Sequence, residues 1–319
     1  MVKRNTYCEV NFLKKFSEKF SQSSPFDDEQ VLKSQCWIGL FKYLRNKTIL
    51  LIDDKVQFNI ASQENQLCNK VKKLWANGSL QINEQKIDLD NLSEDALRSA
   101  VFLSDDKPFV IQKAEKLGIL LITPSTYAQF ACLYKDNGIA FHTNDIADWS
   151  VLRKNGKHNF NAMVISDLYV LKERNINLYA IFDALLPTHL DIQMQISIFT
   201  QDTPTFKQDY QDIERHIKQI RPKLNFTLSL HKGKSSDFHD RGIVTNYMRI
   251  KCGAGFDLLR IRSGNQVARI TTDVDIDYPY FKESEVSEGS YENIIKDAKR
   301  MYNNNISIGD KKNRLLMQQ

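Results

Sequence analysis

The segment 238–246 carries the residue types in this chain that are best suited to phosphate chemistry. His239 and Arg241 stand two positions apart, and residues two apart in a strand share one face. An imidazole can attack phosphorus or donate a proton, while a forked guanidinium binds two phosphate oxygens at once. The pattern therefore predicts a phosphodiester site on a strand, with a solvated surface His and Arg as the alternative. The predicted phosphate ligands are His239, Arg241, Asn246, Lys232 and Lys234.

Basic charge is concentrated around this segment. Residues 215–269 hold twelve Lys and Arg against three Asp, whereas residues 1–150 hold 19 basic and 19 acidic side chains. A local basic excess raises the concentration of a polyanion near the surface. We therefore expect a nucleic acid, RNA or DNA, as the partner, and a lipid headgroup is the other phosphate that this chemistry fits.

Acidic side chains in the first half of the chain form a second set suited to chemistry. Glu9 ends a predicted strand, Asp95 begins a predicted helix, and Asp105 and Asp106 follow that helix. Such positions share one crevice in a parallel sheet, and carboxylate oxygens are the ligands that Mg²⁺ prefers. The predicted catalytic acids are Glu9, Asp95, Asp105 and Asp106. The alternative is that they are ordinary cap and loop residues, since Asp is common there.

Alternating helices and strands must position both sets, which predicts the α/β class. Apolar runs at 48–52 and 119–122 are typical of buried parallel strands. Helices are predicted at 29–44, 62–76, 96–103, 108–117, 177–186 and 206–220. The predicted domains are a parallel-sheet domain over 1–134, a polar linker over 135–161, an α/β domain over 162–300 and a polar tail over 301–319.

The His-Asp-Arg run resembles a phosphate-handling signature. With Asn246 five residues after Arg241, it is similar to a degenerate phospholipase D motif, in which His-x-Lys precedes an Asp. Residues 238–259, with their Gly-x-Gly-Phe-Asp turn, are more closely similar to the phospholipase D-like C-terminal domain of microtubule-interacting-and-trafficking (MIT) domain proteins, which binds phosphorylated lipid headgroups. Arg241 replaces the usual Lys, Asn246 replaces the usual Asp, and the motif occurs once where active folds need two copies. The resemblance implies a binding site, with catalysis by His239 in a homodimer left open.

The acidic set resembles a PIN-like nuclease. The segments 93–97, 103–109 and 118–125 are similar to the C-terminal half of that family, and 7–11 stands where the family has its first strand. Glu9 replaces the family's first Asp, and Glu64 matches only by its place on a middle helix. The resemblance implies an N-terminal PIN-like domain that uses Mg²⁺ or Mn²⁺. The metal ligands that it implies are Glu9, Glu64, Asp95 and Asp105.

The composition argues against several classes of protein. Hydrophobic residues make up 42% of the chain, and no apolar run approaches the length of a membrane helix. Five cysteines are scattered without a CxxC pair, which argues against a disulfide framework or a zinc site and predicts a reducing cytoplasm.

These features leave three functional hypotheses. The first is a metal-dependent nuclease-like effector with a basic phosphate-binding domain, a pairing associated with bacterial toxins and phage defence. The second is a phosphodiesterase that uses His239 in a dimer. The third is a non-catalytic adaptor that binds a phosphate or a headgroup.

Overall fold

The computed structural model divides the chain into two compact units, Met1–Asp136 and Asn137–Gln319. The first unit ends close to residue 134, where the first domain is predicted to end. The described residues are 3–20, 28–126, 139–142, 149–150, 152–153, 159–172, 175–253, 255–256, 258–261, 267–269, 273–279, 285–304 and 306–317. Most of the predicted linker lies outside these residues.

The first unit contains a five-stranded parallel sheet. Its strands are β1 (Arg4–Cys8), β2 (Thr48–Ile52), β3 (Gln81–Glu84), β4 (Val101–Leu103) and β5 (Leu120–Ile122), in the order β3-β2-β1-β4-β5. Its helices are α1 (Val10–Phe20), α2 (Asp28–Lys47), α3 (Lys55–Glu64), α4 (Gln66–Ala76), α5 (Glu94–Ser99) and α6 (Pro108–Leu117). Every strand pair is parallel, which confirms the parallel sheet predicted for this part of the chain.

Local capping explains where several of these helices begin and end. The Asp54 carboxylate accepts the Gln57 N–H and begins α3. Asn65 ends α3, and its side chain accepts the first N–H groups of α4, so the single helix predicted over 62–76 is two helices. Gly118 ends α6 with a φ of 59°, in the left-handed region that glycine adopts easily.

The helix predicted over 96–103 is wrong in its second half. Helix α5 ends at Ser99, and Val101–Leu103 form strand β4 between β1 and β5. All three side chains of β4 are fully buried, and β-branched and aromatic residues suit such a strand. Asp105 therefore follows a central strand of the sheet, which places it at the sheet edge.

The second unit contains an eight-stranded mixed sheet. Its order is β15-β9-β8-β7-β10-β11-β14-β6, and a separate ribbon pairs β12 with β13. The strands are β6 (Ile139–His142), β7 (Ala162–Ser166), β8 (Met194–Gln201), β9 (Phe226–Gly233), β10 (Gly242–Thr245), β11 (Arg249–Cys252), β12 (Leu259–Ile261), β13 (Val267–Arg269), β14 (Asp273–Asp277) and β15 (Ser307–Gly309). The helices are α7 (Ile176–Leu185), α8 (Phe206–Ile220) and α9 (Glu285–Asn304). Strands β7, β8 and β9 are parallel to one another, and the other pairs are antiparallel.

The segment predicted as a polar tail is part of this fold. Strand β15 pairs with β9 at one edge of the sheet. Beyond it, the Asn313 amide donates to the Met163 carbonyl, and the buried Arg314 guanidinium donates to the Asn161 carbonyl. Polar side chains in this segment therefore satisfy backbone groups of the central strands, which a composition argument does not reveal.

Within the described part of the chain, no helix combines the length and the apolar character that crossing a bilayer requires.

Candidate functional site

The strand order of the first unit reverses at β1. The chain adds β2 and β3 on one side of β1, and later adds β4 and β5 on the other. In parallel α/β sheets, ligands bind outside the carboxyl ends of the strands where the order reverses. The residues that follow β1 and β4 therefore occupy the favoured place for a site in this unit.

Glu9 and Asp105 meet at this switch point. Glu9 directly follows β1, and its backbone N–H donates to the Leu103 carbonyl at 2.9 Å. The Asp105 N–H donates in turn to Oε2 of Glu9 at 3.0 Å. Both side chains are largely enclosed, with 14% of Glu9 and 11% of Asp105 exposed. The structure thus brings together two of the acids that the sequence predicts as metal ligands.

Each of these two carboxylates holds a lysine. Nζ of Lys15, on α1, lies 2.8 and 2.6 Å from the two oxygens of Asp105. Nζ of Lys107 lies 3.1 Å from both oxygens of Glu9. The hydrogen bond from Lys15 is the main cause that lowers the pKa of Asp105 from its ordinary value. Each of the two carboxylates is therefore paired with one ammonium group.

Asp53 is a third carboxylate at this edge, and it is absent from the predicted ligand set. It follows β2, and its Oδ1 accepts the N–H of Val10, the first residue of α1, at 2.9 Å. Burial chiefly raises the pKa of Asp53, and the nearby charge of Glu9 adds to the rise. In the sequence, this carboxylate belongs to a pair of Asp residues that directly follows a buried strand. The second of the pair, Asp54, is the N-cap of α3.

The remaining predicted acids lie in different surroundings. Asp95 is 74% exposed and pairs with Arg98 at 3.1 Å, in the first turn of α5. Asp106 accepts the Ser125 hydroxyl at 2.8 Å, and Glu64 is the exposed last residue of α3. In the described part of the chain, no group of three or more Asp, Glu, His or Cys side chains is arranged to hold a metal. Ligation by Asp95 and Glu64 stays a prediction.

The second unit has its own switch point, at β7. Strands β8 and β9 lie on one side of β7 and β10 on the other. Ser166 is paired with Gly242 across β7 and β10, so Asp167 directly follows β7 and Arg241 directly precedes β10 at the same end of this pair of strands. A methyl group on Gly255 would lie 2.9 Å from Oδ2 of Asp167 and 3.4 Å from Nη1 of Arg241.

Gly255 explains part of the Gly-x-Gly turn. Its φ of 86° and the 2.9 Å that would separate an added methyl group from Oδ2 of Asp167 each favour a residue without a side chain. Ala254 and Asp257, the other notable residues of that turn, lie outside the described residues. Sequence reasoning did not identify Asp167 as a neighbour of Arg241, although Asp167 directly follows a fully buried strand.

The predicted phosphate ligands are only partly brought together. Strand β10 begins at Gly242, so the prediction that His239 and Arg241 lie on a strand is wrong: His239 is exposed in a bend before it. The bend follows a short 3₁₀ helix, Ser235–Asp237, in which the Asp237 carboxylate accepts the Lys234 backbone N–H. The Lys234 side chain is exposed.

The side chains of Lys232 and Asn246 contact other groups of the protein. Lys232 pairs with Asp202 at 2.7 Å and lies over the Phe206 ring. Asn246 follows the opposite end of β10 from Arg241, about 17 Å away for five extended residues. Its fully buried amide oxygen accepts the N–H groups of Asn161 and Ala162, at 2.9 Å each. Of the predicted set, Arg241 is the residue that lies at the switch point.

Comparison of the chain with known proteins gives no matching family model and no matching curated sequence. The geometry of the two switch points is therefore the basis for a functional assignment.

Proposed function

We propose that this protein is a metal-dependent nuclease-like effector. The first unit, with a PIN-like fold, cleaves a phosphodiester bond of RNA or DNA with Mg²⁺ or Mn²⁺ at Glu9 and Asp105. The second unit, with a phospholipase D-like fold, binds backbone phosphates through Arg241, with His239 beside it. The observation that carries the proposal is the meeting of Glu9 and Asp105 at the point where the strand order of a parallel sheet reverses.

The residues at this edge fit a hard divalent cation. Ionised carboxylates offer only oxygen acceptors, and Mg²⁺ is commonly held by one or two carboxylates together with water and substrate oxygens. The lowered pKa of Asp105 keeps its carboxylate ionised at neutral pH. Such a cation polarises a phosphoryl oxygen and makes bound water more acidic. The backbone contact between Asp105 and Glu9 keeps the two ligands in a fixed relation.

Charge supports the second half of the proposal. Within the part of the chain that the structure describes, Arg241 has no carboxylate within 4.0 Å and is only half-buried. Its guanidinium can therefore bind phosphate oxygens without first breaking an ion pair. The excess of Lys and Arg over 215–269 favours a polyanion in the same unit.

Cleavage of labelled single-stranded RNA and DNA tests this function. We expect activity in Mg²⁺ or Mn²⁺, its loss in EDTA, and its loss in Glu9→Gln and Asp105→Asn. Asp90→Asn is the matched control, because Asp90 lies on the surface of the same unit and pairs with Lys113. Activity that survives EDTA and both site variants, but is lost with His239→Ala, would move the chemistry to the second unit. Binding without cleavage by any variant would leave an adaptor.

A further inference from the structure

Two lysines occupy the oxygens that a metal ion would need. Lys15 contacts both oxygens of Asp105, and Lys107 contacts both oxygens of Glu9. A carboxylate offers about four lone-pair positions, and the Asp106 and Asp105 N–H groups already take one on each acid. An ammonium group and a divalent cation therefore compete for the same oxygens.

In each of these two ion pairs, the lysine side chain is more exposed than the carboxylate. The carboxylates are largely enclosed and are held by backbone N–H groups, whereas the side chains of Lys15 and Lys107 are 54% and 50% exposed. A lysine stem is long and flexible, and an ion pair with an exposed lysine is weak. The lysines can consequently leave while the acids stay in place.

We propose that Lys15 and Lys107 are the phosphate-binding cations of this site. Asp105 and Glu9 hold them in the metal-free protein, and once these carboxylates ligate a divalent cation, the two ammonium groups would be free to bind the phosphate oxygens of the substrate. Charge supports this exchange: a divalent cation would offset the charge of the carboxylates, which include Asp53 near Glu9, and would so weaken their attraction for the two ammonium groups. This inference rests on the proposed function, because it assumes that Glu9 and Asp105 hold the metal.

Calorimetric titration with Mn²⁺ alone tests the exchange without measuring activity. Lys15→Met and Lys107→Met remove a competing cation and keep an unbranched stem, so each variant binds Mn²⁺ about five-fold tighter than the wild type. Lys19→Met and Lys113→Met are the matched controls. Lys19 lies one turn further along α1 and donates to the Pro124 carbonyl, and Lys113 lies on α6 and pairs with Asp90. The controls keep the wild-type affinity.

The outcomes separate this inference from the proposed function. If wild type binds Mn²⁺ and the Lys15 and Lys107 variants bind it equally well or more weakly, the lysines are structural and the exchange is refuted. If neither wild type nor any variant binds Mn²⁺, both the exchange and the metal-dependent function fail.

Two further measurements complete the test. The first uses wild-type protein, so it does not depend on the folding of a variant, and the second measures the contact with phosphate. In wild-type protein with ¹³C-methylated lysines, Mg²⁺ shifts the NMR signals of Lys15 and Lys107 and leaves that of Lys19 in place. In Ca²⁺, a short labelled oligonucleotide binds Lys15→Met more weakly than wild type, and the slope of log affinity against log salt falls by about one. Unmoved lysine signals, or an unchanged slope, would overturn the proposal.

Discussion

The two sheets of this protein place opposite charge arrangements at equivalent positions. At the β1 switch point, Glu9 and Asp105 each hold a lysine within 3.1 Å. At the β7 switch point, Arg241 precedes β10 at the end of β7 that Asp167 follows, and in the described part of the chain no carboxylate lies within 4.0 Å of Arg241. At the first edge, the carboxylates of Glu9 and Asp105 are paired with lysines, whereas the second edge presents a guanidinium directly. The first arrangement suits a metal ion and the second suits an anion.

The largest expected effect is the loss of cleavage in Asp105→Asn. The amide keeps the shape of the side chain but loses the charge that holds Lys15 and that, in the proposed function, would hold a divalent cation. We expect cleavage to fall by at least about 100-fold, since even residues that only support metal ligands cost 10- to 100-fold. Circular dichroism and the melting temperature check that the fold is kept. Full activity in this variant would show that cleavage does not need the charge of Asp105, and the proposed contrast between the two sheet edges would fail.

Asn246→Ala should destabilise the second unit by about 2–3 kcal/mol. The variant removes the buried oxygen that accepts the N–H groups of both Asn161 and Ala162. Urea denaturation measures the loss. Asn246→Asp keeps the Oδ1 acceptor but loses the amide that donates to Oδ1 of Asn161, so it separates the effect of the acceptor from that of the donor. If Asn246→Ala instead unfolds like wild type and binds oligonucleotides poorly, Asn246 is a phosphate ligand, as the sequence predicts.

Acid should destabilise the second unit through His231. Burial lowers the pKa of this imidazole to about 3, from an ordinary value of 6.5. The unfolded chain therefore takes up the proton first as the pH falls. Stability is complete above pH 6.5 and is lost towards pH 3, by up to about 1.4 kcal/mol per pH unit.

His231→Phe tests this pH dependence. The ring stacks on Phe199 at 4.5 Å, and the Ser229 hydroxyl keeps its 2.9 Å contact with Ser197 when the imidazole is replaced. We expect the acid slope to flatten in His231→Phe and to persist in His189→Phe, a change at an exposed histidine. Hydrogen exchange of β9 amides measures this unit separately. If stability falls equally steeply with pH in wild type and in His231→Phe, groups other than His231 cause the acid sensitivity.

The smallest expected effect is that of Arg241→Ala on nucleic-acid binding. Loss of one phosphate contact should weaken binding several-fold and lower the salt slope by about one. Lys232→Ala should have less effect, because Lys232 is paired with Asp202. Fluorescence anisotropy over a range of salt concentrations measures both. If Arg241→Ala lowers stability and leaves the salt slope unchanged, the guanidinium serves to neutralise the buried Asp167.

The spacing of apolar residues and the positions of Pro and Gly predicted much of the fold. The buried run Thr48–Ile52 and the helix Pro108–Leu117 are where the pattern places them. The pattern failed at 96–103, because the short apolar run at 100–103 suits a helix and a strand equally until its neighbours are known. It also failed at the C-terminal segment, where Asn313 and Arg314 are buried by pairing with backbone groups far away in sequence.

The candidate sites were predictable to different degrees. Glu9 and Asp105 were identified because both follow predicted elements of one parallel sheet. Their lysine partners were not, since Lys15 and Asp105 are 90 positions apart in the sequence. Asn246 and Arg241 are near in sequence, yet β10 separates them. Strand order decides which residues meet, and a single sequence does not state it.

The most direct test of metal binding by Glu9 and Asp105 is a crystal structure of the protein soaked in Mn²⁺, with anomalous diffraction locating the metal. We expect a peak roughly 2.1 Å from carboxylate oxygens of Glu9 and Asp105, with the ammonium groups of Lys15 and Lys107 moved away from them. A metal bound elsewhere, or no metal while both lysines keep their contacts with Asp105 and Glu9, would contradict this expectation.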